Sequence, residues 1–271
     1  MMDDKSRSNG MHLKKVKRRT GRNDGTVAAI GHSLDVYYRD EERTRRMDRL
    51  NAAFVTSGTP VFDIGAHVGD RTGSFLRLGA SSVVTVEPQL PLFRTLRLIY
   101  GQDTRVTLRQ CAVGAKDGFA DMFVNSANPT VSTLARALVE KAPCDDAWRE
   151  QEWDKKFRVP VITLDRLIAE HGMPGFAKID VEGHEFDVLR GLSARLPALS
   201  FEVTTLQREV AQDAIACLAE LGAYSFNISL GEEHRFQLPS WIGALEMCEF
   251  IDQLAPEANS GDVYAQLDQE E

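Results

Sequence analysis

Short runs of apolar and β-branched residues recur along the chain, and most are followed by a stretch with helical spacing. "VFDI" (61–64) precedes a helical pattern over about 70–78. "VVTVE" (83–87) precedes another over about 90–100, with Leu92, Leu96 and Ile99 on one face. "RVTLRQCAV" (105–113) reads as a third strand, and "GAKDGFADMFV" (114–124) as a turn and a further strand. "AKIDV" (177–181) reads as a fourth buried strand with a helix through about Leu189. "ALSFEV" (198–203) is a fifth, with a helix over about 206–221. "YSFNIS" (224–229) is a sixth and "DVYAQL" (262–267) a seventh. Brief, continuously apolar strands alternating with helices predict a parallel sheet covered on both faces. Right-handed crossovers make such a sheet doubly wound. Its ligand then lies beyond the carboxyl ends of the strands, where the strand order reverses.

The flanks depart from this alternation. Residues 33–56 read as a helix capped by Ser33, with Tyr37, Met47, Leu50 and Phe54 forming a partial apolar stripe. Upstream of it the charge is uneven. Residues 1–25 carry a net +5, which leaves −13 for the rest of a chain whose formal charge is −8. The run "KKVKRRTGR" (14–22) has no interleaved aromatic residues and the body is acidic, so a solvated tail is expected and nucleic acid is not the expected partner. The expected organisation is a basic tail over 1–30, a helical segment over 31–58 and a catalytic domain over 59–268. No apolar run approaches the roughly 18 residues that cross a bilayer. The four cysteines are scattered and include no CxxC pair. A cytoplasmic location with reduced thiols and no membrane partner is the expectation.

The turn after the first strand, "DIGAHVGDRT" (63–72), asks what its glycines approach. A dinucleotide fingerprint has GxGxxG, whereas Gly65 and Gly69 here are four apart and the first GxG is absent. Asp63 ends the strand instead. A carboxylate there repels a pyrophosphate and suits the ammonium group of an amino acid. Glu87 closes the second strand, placed to bridge two ribose hydroxyls. A ligand with a ribose, a cationic amino-acid tail and no phosphate is S-adenosylmethionine.

The sequence resembles the FkbM-type S-adenosylmethionine-dependent methyltransferases at "VFDIGAHVGDRT" (61–72), "VVTVEP" (83–88), "CAVGAKDG" (111–118), "VPVITLDRLI" (159–168), "AKIDVEGHEFDVLRGL" (177–192), "LSFEV" (199–203) and "GDVYA" (261–265). The resemblance spans about 60–265. It implies a Rossmann-like class I methyltransferase fold, α/β, with a mostly parallel doubly wound sheet, an antiparallel last strand and an N-terminal helical extension. It implies methyl transfer to an oxygen of a small molecule or sugar. The resemblance sets Asp63, Gly65, Ala66, His67, Gly69 and Thr72 around the methionine part of the cofactor, Glu87 and Pro88 at the ribose, and Cys111 and Ala112 beside the adenine. Position 67 departs from the family's usual Asn.

"KIDVEGHE" concentrates chemistry at a strand-to-helix turn. Asp180 falls near the transferred methyl and the cofactor, and His184 titrates near neutral pH. Glu182 or Glu202 could orient it or take the acceptor's proton. Asp180 could equally cap the next helix, while Glu185 and Asp187 read as solvated charges. A metal site from Asp180, Glu182 and His184 matches no known ligand spacing, so no metal is assigned. An NAD-dependent oxidoreductase and a non-enzymatic binder are the alternatives to an O-methyltransferase. The acceptor is expected to be a small molecule or glycan. Specificity is expected in residues 125–158 and 229–262, which carry Trp148, Trp153 and Trp241 for stacking on it.

Overall fold

The computed structural model describes residues 25–268; the basic run over 14–22 lies outside them. Helices α1 (Gly25–Arg39) and α2 (Glu41–Asn51) come first among the described residues. They are followed by β1 (Pro60–Ile64), α3 (Asp70–Arg77), β2 (Ser82–Val86), α4 (Leu90–Tyr100) and β3 (Val106–Arg109). Next come β4 (Ala112–Val113), β5 (Gly118–Val124), α5 (Arg136–Lys141), β6 (Lys155–Ile162) and α6 (Leu164–His171). The last third holds β7 (Phe176–Ile179), α7 (Glu185–Arg190), β8 (Ala198–Thr204), α8 (Arg208–Leu221), β9 (Tyr224–Leu230), α9 (Ala244–Asp252) and β10 (Ser260–Leu267).

Seven strands form one sheet in the order β3-β2-β1-β7-β8-β10-β9. All neighbours are parallel except β10, which runs antiparallel to both β8 and β9. The sheet therefore has the doubly wound, Rossmann-like order that the resemblance implies, with its antiparallel last strand. Strand β1 is buried along most of its length, as a parallel strand covered on both faces must be. The chain leaves β1 toward β2 and β3, then returns to β1's other side as β7. That reversal opens a crevice at the carboxyl ends of β1 and β7.

One face of the sheet packs Phe62, Phe201, Phe226 and Ile228 against Leu167, Val188, Ile215 and Met247. On the other face Val61, Val83 and Phe176 meet Phe75 of α3 and Leu50 of α2. Among the described residues no helix is long and apolar enough to cross a membrane. All four cysteines are free thiols.

Several expectations need correction. Ser33 does not cap a helix; it is buried within α1, and its hydroxyl donates to the Ala29 carbonyl. The helical segment reaches back to Gly25, the first described residue, and breaks at Asp40, which caps α2 by accepting the Arg43 amide at 2.9 Å. The third strand ends at Arg109. Ala112–Val113 cross to a separate three-stranded sheet, β4-β6-β5, that stands over the crevice. On α4, Ile99 is exposed, and Tyr100 rather than Ile99 completes the buried stripe of Leu92 and Leu96.

Candidate active site

A cavity of about 870 Å3, including its mouth, lies at the ends of β1, β2 and β7. Of the sequence-derived cofactor positions, Asp63, Gly65, Ala66, His67, Glu87, Pro88, Cys111, Ala112 and Asp180 line it. Gly69 and Thr72 stand outside its wall.

The glycines of the turn approach protein rather than leaving room for a ligand. Gly65 has φ +78°, and an added Cβ would lie 1.7 Å from the Asp180 carbonyl oxygen. β1 and the β7–α7 turn thus touch backbone to backbone. At Gly69 the same atom would meet Leu96 and Tyr100 at 2.6 Å. Tyr100 donates its hydroxyl proton to the Gly69 carbonyl at 2.6 Å, seating α4 on the turn. His67 sits at φ +50°. Asn and His are among the non-glycine residues enriched in this left-handed region, which explains the exchange at this position.

Thr72 acts through Asp63. Its hydroxyl donates to Asp63 Oδ2 at 2.5 Å and lies 3.0 Å from Thr85 Oγ1. Asp63 Oδ1 is buried without a hydrogen-bond partner. Burial lifts this carboxyl to about 6, against the opposing pull of Thr72 and Lys178. Glu87 accepts the His67 amide on Oε2 at 3.0 Å and the Gln89 amide on Oε1 at 2.8 Å, so each oxygen keeps a lone pair. Burial raises it to about 8 despite those two bonds.

The turn after β7 gathers the remaining groups. Lys178 is buried, bonds Asp180 Oδ2, and lies 3.5 Å from Asp262 Oδ1. Glu182 is 8% exposed with φ +56°, a strained conformation for a residue with a long side chain. Asp180 does not cap α7, because His184 holds the N-cap position. His184 lines the cavity and sets Nδ1 3.3 Å from Asp187 Oδ2, which leaves Nε2 available. Burial lowers its pKa, so the imidazole is neutral near pH 7. Glu185 is not a solvated charge. It is buried and accepts the Val181 and Gly183 amides on Oε1, which fixes the turn. Glu202 is absent from the cavity wall but lies close to Asp180 and Glu182. One carboxylate oxygen from each of the three falls within 4.8 Å of the others. His184 does not belong to that cluster.

The two irregular segments reach the cavity without their tryptophans. Pro129, Thr130, Ser132 and Leu134 line it from the first, and Glu232 from the second. Trp148 is buried with Leu138 and Ala142. Trp153 donates Nε1–H to the Val131 carbonyl at 2.9 Å. Trp241 packs edge-on to Phe54 and Phe236. All three are consumed in packing or support, so the expected stacking surface is not built from them.

Sequence reasoning missed a cover over the cavity. Tyr37 of α1 and Arg43 of α2 form part of its wall. Arg43 donates to Asp70 Oδ2 at 2.9 Å and to Glu232 Oε2 at 2.7 Å. The Tyr37 ring stands edge-on to His67, with centroids 5.7 Å apart, and lies under the Arg43 guanidinium.

The family description "Methyltransferase FkbM domain" matches residues 63–238. No curated protein matches the chain. Among solved structures, methyltransferase FkbM from Methylobacillus flagellatus KT is 15% identical with a TM-score of 0.47; the match covers 77% of this chain but only 43% of that one. Precorrin-6y C5,15-methyltransferase from Geobacter metallireducens GS-15 is 11% identical with a TM-score of 0.43, covering 82% of this chain and 87% of that one. The O-methyltransferase from Bacillus cereus, solved in complex with SAH, is 10% identical with a TM-score of 0.41, covering 89% and 91%.

Proposed function

The chain belongs to the family of the methyltransferase FkbM domain, and from that premise we propose that it transfers the methyl group of S-adenosylmethionine to an oxygen of a small molecule or glycan. The observation that carries the cofactor assignment is Asp63 Oδ1, buried at the cavity wall with no partner. A buried carboxylate oxygen left open calls for a cationic or donor group, and the ammonium of an amino acid is one. A dinucleotide would bring a pyrophosphate toward the same oxygen and be repelled.

S-adenosylmethionine, when bound, supplies an electrophilic methyl group on a sulfonium sulfur. The chain's part is to bind, align and exclude water. Asp63 would hold the ammonium group and Glu87 the two ribose hydroxyls through its remaining lone pairs. Pro88, Cys111 and Ala112 would flank the adenine. His184, neutral and with Nε2 free, is the group we assign to take the acceptor's proton. Glu202 is off the wall and is not assigned that step. Acceptor contacts would come from residues 129–134 and Glu232.

Calorimetry with S-adenosylhomocysteine tests the cofactor assignment. Binding is expected for the native chain, with no heat from NAD or NADP. Asp63→Ala and Glu87→Ala should each weaken it by about 1–3 kcal/mol. If both variants bound like the native protein, the assignment would fail.

A further inference from the structure

We propose that Asp180, Glu182 and Glu202 form a binding site for one hard divalent cation, whose remaining coordination positions face the cavity. The role of those positions in holding acceptor oxygens rests on the methyl-transfer reading; cation binding itself does not.

The geometry comes from neighbouring strand ends. Strands β7 and β8 are parallel, with Ile179 beside Phe201, so Asp180 and Glu202 follow at the same level. The tight turn after β7 returns Glu182 to this point. The three carboxylates contribute one oxygen each, all within 4.8 Å of one another. Three oxygens all within 4.8 Å of one another can share one ion after small side-chain shifts, since bonds of Ca2+ to oxygen are about 2.3–2.6 Å. The spread therefore suits a single ion without rearrangement of the strands.

A group of acids alone would not argue for an ion. The decisive observation is which carboxylates lack partners. Glu185, equally buried, is engaged by two backbone amides. Asp180 is engaged on one oxygen by Lys178. Glu182 is more than nine-tenths buried, and among the described residues no hydrogen bond or ion pair reaches its carboxylate. Glu202 Oε2 is wholly buried and also has no partner. Lys178 divides its charge between Asp180 and Asp262, so it cannot neutralise the group. Three carboxylates this close repel one another, and a cation held between them would relieve that repulsion. An all-oxygen set with no imidazole selects Mg2+, Mn2+ or Ca2+ over zinc or copper.

Mn2+ titration of the full chain, followed by electron paramagnetic resonance without cofactor, tests the site. One Mn2+ per chain is expected, displaced by Mg2+ or Ca2+. Glu182→Gln and Glu202→Gln should each weaken binding at least tenfold. Glu249→Gln, on the exposed face of α9, should leave it unchanged. Both test substitutions remove a charge from a repelling group, and thermal unfolding reports whether each variant folds. A Mn2+-dependent rise in unfolding temperature, expected for the native chain, needs no variant. No bound Mn2+ at millimolar concentration, no such rise, or equal binding by the two folded variants would each overturn the proposal. Mn2+ binding without S-adenosylhomocysteine binding would sink the methyltransferase reading and leave the cation site. The reverse result would sink the cation site alone.

Discussion

Gly65 is where β1 and the β7–α7 turn come into contact. An alanine there would require both a left-handed backbone and a Cβ 1.7 Å from a carbonyl oxygen fixed in the sheet. Gly65→Ala should destabilise the protein by more than about 3 kcal/mol in urea unfolding. Gly31 gives the opposite sign: it lies inside α1 with open space around it, and Gly31→Ala should stabilise by about 0.5–1 kcal/mol. Glu87 links the site to pH. The unfolded chain ionises this group near 4.5, whereas burial keeps it protonated in the folded protein up to about 8. Its contribution to stability is therefore complete below about 4.5 and is lost as pH rises through about 8, at up to about 1.4 kcal/mol per pH unit. On the proposed cofactor reading, the ionised form is the one that would accept two ribose hydroxyls. S-adenosylhomocysteine affinity should then rise as pH increases from 6 through about 8, with proton release detectable by calorimetry in two buffers, and Glu87→Gln should flatten that slope.

The elements sort by how locally they are specified. Strands β1, β2, β7 and β8 were legible because a buried parallel strand carries its apolar run in consecutive residues. The acids ending those runs, Asp63, Glu87, Asp180 and Glu202, were legible as positions for the same reason. Their partners were not. Nothing near Glu185 in sequence announces that it folds back onto the Val181 and Gly183 amides, and nothing near Glu202 announces its lack of a partner. The tryptophans misled because an aromatic residue in an irregular segment looks the same whether it faces a ligand or a small core. Trp153 is the informative case, since its indole holds the Val131 carbonyl behind the 129–134 wall. Trp153→Phe keeps an aromatic ring, though a smaller one, and removes that bond. Amides of 130–134 should exchange faster with solvent, while S-adenosylhomocysteine affinity stays within about threefold, under about 0.7 kcal/mol.

At the scale of the molecule, the cavity is closed by parts of the chain that a local reading treats as unrelated. Arg43 joins α2 to the start of α3 through Asp70 and to the segment after β9 through Glu232, with its side chain 5% exposed and that of Asp70 11% exposed. Arg43→Met removes the charge and keeps most of the packing. It should cost about 3 kcal/mol in urea unfolding, chiefly because Asp70 is left buried and unpaired. The more exposed Glu232 should contribute little to that loss. The Arg43–Glu232 bond spans 189 residues of sequence. A ribosome adding roughly 5–20 residues per second needs roughly 10–40 s to travel that distance. Throughout that interval the first helices of the nascent chain have no anchor on the far side of the cleft. The clasp from the cover to the far side of the cavity is thus a late event in the life of each molecule, formed only when translation has passed Glu232, long after Asp70 is there to hold Arg43.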